Sequence, residues 1–448
     1  MKRIITEESV LFFSITKWVI LAACCGALVG ASTALFLHLL AMAIAFTARF
    51  PHSFLLLPLA LLGSALLTHY VAPEARGHGT EKVIEAIHKT AGRIPVLVAP
   101  IKLVATIMTL ALGGSAGKEG PCAQIGAALS SLFANLLRLG NGDRKKLVVC
   151  GISAGFASVF GTPIGGAVFG LEVLFVGAMQ YDMLLPSFVS SIIAYHVAAA
   201  LGISYLITPI NADLFQNGAM LPMLVLAGLF FGLCALILIE ALRAGHFVAV
   251  KLPVPEWIKP LIGGVVLIVL AVLFSSDYLG LGLKTIEGCL RGQDVVPYAF
   301  LLKCAFTAIT LSFGGSGGIV TPIFFVGATA GVLFADLFGL DRSLFAAIGL
   351  VSLLSGAANT PIATSIMAAE LFGAPIAPYA AIACVISFLM TGHRSVYPSQ
   401  ILAGPKSASI RVQTGAEIHS ATAEFVPRPK TITGLLHTLW SALSHRTK

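Results

Sequence analysis

Apolar runs follow one another along almost the whole chain, over residues 19–50, 94–117, 147–171, 183–212, 214–239, 304–335 and 343–369. A helix needs about 20 predominantly apolar residues to cross the hydrocarbon of a bilayer. Repetition of runs near or above that length leaves lipid as the only solvent in which the chain can fold. Only 11% of the 448 residues are charged, against about 25% in a soluble domain, and the mean hydropathy is +0.94. There is too little polar surface to coat a water-soluble body of this size. An ordinary soluble enzyme, a disordered chain and a secreted disulfide scaffold are excluded on that ground. The first run is longer than a bilayer is thick, which predicts a tilted helix.

The runs are interrupted by Gly and Pro, at Gly161-Thr162-Pro163, at Gly314-Gly315-Ser316-Gly317-Gly318 and at Asn359-Thr360-Pro361. Such breaks leave helix ends at membrane depth, where they survive only buried in protein or lining a cavity. The breaks also repeat. Gly113-Gly114-Ser115-Ala116-Gly117-Lys118-Glu119-Gly120-Pro121, with Gly126-Ala127 beyond, shares the frame GGSxGxxxP with Gly314 to Pro322 and Gly327-Ala328. Thr162-Pro163-Ile164 leads to Glu172 as Thr360-Pro361-Ile362 leads to Glu370. Gly77-His78-Gly79, leading to Ile84-Glu85, loosely matches Gly280-Leu281-Gly282, leading to Ile286-Glu287. Three matches in the same order indicate a duplicated half, a hallmark of transporters that bind near the midplane where broken helices meet. Glu172 and Glu370, each alone among apolar residues, are expected to make structural hydrogen bonds within their own halves.

The net charge is +8, from 28 Lys and Arg against 20 Asp and Glu. The cations gather at Arg138, Arg144, Lys145 and Lys146 and in the tail at Arg428, Lys430, Arg446 and Lys448. Placed between apolar runs, they read as the positive-inside signal and not as a nucleic-acid surface, which puts the 138–146 loop and the tail in the cytoplasm. The eight cysteines form no CxxC pair and read as reduced, buried small hydrophobes. The segment MKRIITEESV carries no small-residue cleavage site ahead of a long span and is not read as a removable signal peptide. No Walker loop, metal-spaced His/Cys set or Ser/His/Asp arrangement is present, and no cofactor is expected.

The chemistry concentrates where Gly117-Lys118-Glu119-Gly120-Pro121 opens an apolar helix. A helix start leaves N–H groups unpaired and carries about half a positive charge, so it attracts anions. Gly120 lets the backbone come close to an ion. Glu119 at this end has two readings, a helix cap or a mobile group that takes the anion's place and leaves it when protonated. Gly318-Ile319-Val320-Thr321-Pro322 is the equivalent start in the second half, with the Ile319 and Val320 amides and the Thr321 hydroxyl as donors. Gly77-His78-Gly79-Thr80-Glu81 opens a third, amphipathic segment. His78 is either an anion donor or a loop histidine bonded to backbone, and Tyr397 either an anion donor or a buried phenol bonded to a carbonyl.

These segments together resemble the CLC chloride channels and proton-coupled anion antiporters. Residues 117–121 match the family's GKEGP motif, 318–322 stand where it has GxFxP, 77–81 where it has GSGIP, and Tyr397 at the filter tyrosine. The resemblance covers residues 16–405. It implies an all-α polytopic membrane protein of two inverted halves, a homodimer with one anion pathway per subunit, Glu119 as gate and proton carrier, and an anion site built from Gly77, His78, Gly79, Lys118, Gly120, Gly318, Ile319, Val320, Thr321 and Tyr397. His78 replaces the filter serine that goes with chloride selectivity, Val320-Thr321 replaces Phe-Ala, and Val173 stands where the family's antiporters carry an inner proton glutamate. That combination is similar to the bacterial fluoride/proton antiporter branch. The expectation is fluoride export in exchange for protons; a chloride/proton antiporter and a passive chloride channel are the alternatives. The expected organisation is a cytoplasmic segment with an interfacial helix (1–15), two membrane repeats (16–205 and 206–405) and a cytoplasmic tail (406–448), in the bacterial inner membrane with both termini cytoplasmic.

Overall fold

The computed structural model describes residues 2–205, 207–210, 220–426, 431 and 434. The boundary residue 206 and the tail cations Arg428, Lys430, Arg446 and Lys448 lie outside the described residues. Among the described residues there are sixteen α-helices, eight in each half. The first half holds α1 (Lys2–Thr47), α2 (Leu57–Tyr70), α3 (Thr80–Lys89), α4 (Val98–Ala111), α5 (Glu119–Leu136), α6 (Asn141–Phe160), α7 (Pro163–Glu172) and α8 (Leu184–Ala200). The second holds α9 (Met220–Lys251), α10 (Lys259–Leu273), α11 (Leu283–Leu290), α12 (Ala299–Ser312), α13 (Val320–Phe338), α14 (Arg342–Ala358), α15 (Pro361–Phe372) and α16 (Ala377–Met390).

The eight pairs correspond in order, and so do their contacts. α5 packs on α6 and α13 on α14, while α1 packs on α8 and α9 on α16. Glycines set the closest approaches. A Cβ on Gly126 of α5 would stand 2.6 Å from the Gly151 carbonyl of α6, and Gly327 of α13 meets the Gly349 carbonyl of α14 in the same way. Among the described residues, five segments are long and apolar enough to cross a bilayer, at residues 6–47, 53–70, 181–200, 220–251 and 320–338. The shorter apolar helices, such as α4, α10, α12 and α15, cannot each cross unaided. The Gly and Pro breaks fall where the sequence places them. Gly161 (φ +76°) and Asn359 (φ +58°) end α6 and α14 in the left-handed region, and Pro163 and Pro361 open α7 and α15.

The two conserved-spacing glutamates require a correction. Glu172 does not bond within its own half. It ends α7, and its carboxylate accepts from the Ile362 N–H (3.0 Å) and the Ala363 N–H (2.8 Å) at the start of α15. Glu370 near the end of α15 accepts from the Ile164 and Gly165 N–H groups at the start of α7, both at 2.8 Å. Each half thus caps the other's broken helix, because a glutamate at one helix's C-terminal end reaches the neighbour's N-terminus only if the two run antiparallel. Equivalent helices lying antiparallel side by side are related by a two-fold axis perpendicular to them. For helices that run through a membrane, such an axis lies in its plane, which makes the halves inverted.

Two smaller expectations also change. α1 runs unbroken through residue 16 and is about 69 Å long at 1.5 Å per residue, twice the hydrocarbon thickness. The basic stretch at 138–146 is largely the first turns of α6, with Lys17 paired to Asp143, Lys146 to Asp182, and both lysines over the Trp18 ring. Gly165 and Gly166, whose small faces would suit a contact between subunits, meet α15 and α6 of the same chain. Beyond α16 the chain returns across the body as short strands. β1 (Phe175–Val176) pairs in parallel with β2 (Ile401–Leu402), and β3 (Ile410–Val412) pairs antiparallel with β4 (Ala423–Phe425). All eight cysteines are free, and all but Cys24 are buried.

Replacing Glu172 by Ala orphans two N–H groups in a water-free interior, each at a cost of roughly 1–3 kcal/mol. Glu172→Ala should therefore unfold well below the wild type in detergent, with Glu172→Gln in between because one acceptor oxygen remains. An exposed control, Arg243→Ala in the surface pair with Glu240, should stay near the wild type. Wild-type thermal stability in Glu172→Ala would refute the cross-half capping role.

Candidate functional site

The site is built by the backbone before any side chain acts. Gly117 and Gly318, equivalent residues of the two halves, exchange two hydrogen bonds across an antiparallel bridge, 2.7 Å and 2.6 Å long. The bridge sets the N-terminus of α5 beside that of α13. Reciprocal bonds brace it. The Ser115 N–H donates to the Thr310 hydroxyl and the Ser316 N–H to the Thr109 hydroxyl, each at 3.0 Å. Ser115 and Thr307 pair through their hydroxyls at 3.1 Å, as Thr106 and Ser316 do at 3.2 Å. The start of α3 closes in from another side. Gly79 has φ +86° and lies against the Gly120 carbonyl, while Gly120 lies against the His78 carbonyl. Only glycine fits these approaches, since a Cβ on either would strike backbone. Three helix N-termini, those of α3, α5 and α13, therefore converge on one small volume. Each brings a positive dipole end.

Glu119 lies across this junction. Its residue is 1% exposed. One carboxylate oxygen accepts from the Thr321 N–H at 3.1 Å, and the other accepts from the Thr321 hydroxyl. The carboxylate of the first half is thus held by the helix start of the second. Ile319, Val320 and Thr321 are all buried there. Gly77 (φ +75°) faces open space at the foot of α3. Tyr397 is fully buried, and its ring centroid is 5.7 Å from that of His78. Ser395 Oγ holds the Tyr397 N–H at 3.0 Å, which fixes the loop carrying the phenol. Neither the His78 Nδ1 nor the Tyr397 hydroxyl has a hydrogen-bond partner. Buried polar groups are normally satisfied, so two orphans side by side need a ligand or water to complete them. Lys118 stands apart from this pair. It lines a cavity of about 340 Å³ with Thr321, Tyr205, Phe160 and Glu287, which His78 and Tyr397 do not line.

Reading the sequence missed the groups that hold the site. Lys102, inside the 94–117 run, is fully buried and donates to the carbonyls of Ala75 (3.1 Å) and Gly77 (2.5 Å). It ties down the turn that carries His78. Lys303 does the same in the second half, to the carbonyls of Tyr278 (3.0 Å) and Gly280 (2.9 Å). The signal was present, since Lys102 and Lys303 stand at the same offset as the two glycine motifs. Glu81 was also overlooked. It ties α3 to the tyrosine loop, accepting from the Ser399 N–H (3.0 Å) and the Ser399 hydroxyl (2.5 Å).

Comparison with known proteins gives this geometry its context. The family model for the voltage gated chloride channel matches residues 59–392. A chloride/fluoride channel protein of Pseudomonas syringae pv. tomato is 36% identical, over 94% of this chain and 95% of the relative. The crystal structure of a CLC-type fluoride/proton antiporter is 30% identical with a TM-score of 0.83, covering 87% of this chain and 99% of that one. A slow cyanobacterial Cl⁻/H⁺ antiporter shares the fold, with 19% identity and a TM-score of 0.73 over 84% of this chain and 94% of that one. A duplicated body of broken helices, a helix-end junction bridged by Glu119 and these matches lead to one conclusion: the chain is a multi-pass membrane anion transporter belonging to the voltage-gated chloride channel (CLC) family.

Proposed function

We propose that the protein exports fluoride in exchange for protons that enter down their gradient, with Glu119 as both gate and proton carrier. The observation that carries this reading is the Glu119 carboxylate held by the Thr321 N–H and hydroxyl where three helix N-termini meet. A charged carboxylate and a small anion compete for the same donors. Protonation discharges the carboxylate and weakens its hold, so the anion enters as the side chain leaves. One group thereby couples the two fluxes in opposite directions.

Fluoride is small and strongly hydrated, and a path for it must replace water with strong donors. His78, Thr321 and Tyr397 supply an N–H and two O–H groups, and the helix starts at Gly79, Gly120 and Gly318 to Val320 supply backbone amides. The two unpartnered atoms, His78 Nδ1 and the Tyr397 hydroxyl, support an anion or its accompanying water between them. Lys118 attracts the anion from the cavity on the other approach. The fluoride/proton exchange named for the 30%-identical structure supports the same assignment. The protein on this reading is a homodimer in the bacterial inner membrane, with both termini cytoplasmic and one pathway per subunit. Val173, where an exchanger of the family carries a glutamate, favours a second reading as a passive channel.

Purified protein in vesicles separates these readings. An outward fluoride gradient should drive proton uptake in the wild type, and Glu119→Gln should reduce that uptake to the leak of protein-free vesicles. Proton coupling that persists in Glu119→Gln would refute the role given to this residue. Chloride efflux as fast as fluoride efflux ends the fluoride assignment, and fluoride efflux without proton uptake establishes the channel. The bridge is open to a separate test. A Cβ on Gly318 would stand 2.7 Å from the Gly120 nitrogen and 3.0 Å from Glu119 Oε2. Gly318→Ala should therefore abolish fluoride transport, whereas Gly142→Ala, where a Cβ meets open space, should transport like the wild type. Normal flux in Gly318→Ala would show that the close approach of the helix starts is dispensable.

A further inference from the structure

Within the duplicated frame, one stretch breaks the symmetry. The clamp of Lys102 on the carbonyls of Ala75 and Gly77 is repeated by Lys303 on those of Tyr278 and Gly280. The residues that the two clamps present are not repeated. Gly77-His78-Gly79-Thr80-Glu81 in the first half corresponds to Gly280-Leu281-Gly282-Leu283-Lys284 in the second. The fold therefore does not need His78 or Thr80 to be polar, nor an acid at Glu81, where the repeat has Lys284. All three nonetheless lie in the body with Tyr397, and three side-chain atoms there are buried with no hydrogen bond made: His78 Nδ1, Glu81 Oε2 and the Tyr397 hydroxyl, which has the Thr80 side chain beside it. Leaving such atoms unsatisfied is costly, and their clustering marks a site in use.

We infer that Glu81 is a second proton station, on the α3 side of the anion path, which exchanges a proton with Glu119 across the His78–Tyr397 pair. This rests on the antiport reading above. Glu119 takes up a proton from the side of the cavity lined by Lys118. An exchanger must also release that proton to the opposite side, and Glu119 itself is buried. Tyr397 lies within electrostatic reach of both Glu119 and Glu81. One oxygen of Glu81 is engaged by Ser399, while the other is free to receive a proton. The next residue, Lys82, lines two open cavities of about 450 Å³ and 780 Å³, which bring water to this face. The charged and titratable groups that face Glu81 are Lys82 and Glu85 on its own helix and Tyr397 on the loop after α16. Lys102 and Lys82 are the cations that face His78. The step balances without a co-reactant. A neutral Glu119 and a charged Glu81 become a charged Glu119 and a neutral Glu81, and Glu81 then loses the proton to water.

The test is the ratio of proton uptake to fluoride efflux in vesicles carrying Glu81→Gln, Glu81→Asp or the wild type. Glu81→Gln keeps an oxygen to accept from Ser399 but cannot carry a proton. It should lower the ratio at least about tenfold, equivalent to about 1.4 kcal/mol in the proton step, and Glu81→Asp should restore most of it. A wild-type ratio in Glu81→Gln across the range from acid to neutral pH overturns the assignment. Equal loss of fluoride efflux in Glu81→Gln and Glu81→Asp also overturns it, because a carboxyl then fails to rescue and the role is structural. A wild-type protein that moves fluoride with no protons refutes the antiport reading itself and takes this assignment with it; that result is read before any variant is examined.

Discussion

A backbone N–H or C=O has no water to turn to inside a bilayer, and every break in a helix creates several of them. The structure answers this constraint by making each half the partner of the other. The carboxylates of Glu172 and Glu370 cap the starts of α15 and α7. Gly117 and Gly318 pair backbone to backbone. Ser115 and Ser316 reach hydroxyls of the opposite half. These groups are satisfied across the seam, so the halves are not two domains resting together. They are one body whose seam consists of mutual hydrogen bonds.

The same seam generates the site. Two helices that start at the midplane must aim their N-termini somewhere, and the two-fold relation aims both at the axis. The result is a pocket of backbone donors with a positive potential and no counter-charge of its own. Into a symmetric frame of this kind a single asymmetric residue introduces direction. Glu119 faces Val320 in the repeat, so only one of the two helix starts brings a carboxylate, and it is held by the other. His78 against Leu281, and Glu81 against Lys284, extend the asymmetry toward the α3 face. Symmetry supplies the scaffold, and on the proposed reading departures from it carry the chemistry.

Much of this was legible in residue order. The apolar runs require a membrane protein, the repeated GGSxGxxxP frame requires duplicated broken helices, and Gly117–Pro121 places a carboxylate at a helix start. The buried lysines were less visible because a lone cation in an apolar run carries no spacing signal until its mirror is noticed. Glu172 and Glu370 were recognised as structural, but their partners were assigned to the wrong half. Sequence spacing gives the distance along a helix and not which helix lies beside it. The strands beyond α16 went unnoticed for a related reason: strands of two or three residues show no periodicity.

The sequence by itself determined the solvent, the helical class, the duplication and the presence of a carboxylate at a broken helix start, because hydropathy, period and repeats are properties of chain order. Only the tertiary structure decided that Glu119 lies on Thr321, that His78 and Tyr397 stand together with free polar atoms, and that each half caps the other. Those contacts join residues up to several hundred positions apart. They exist only once two antiparallel copies of the same fold have been brought face to face, with no water available to satisfy their helix ends in any other way.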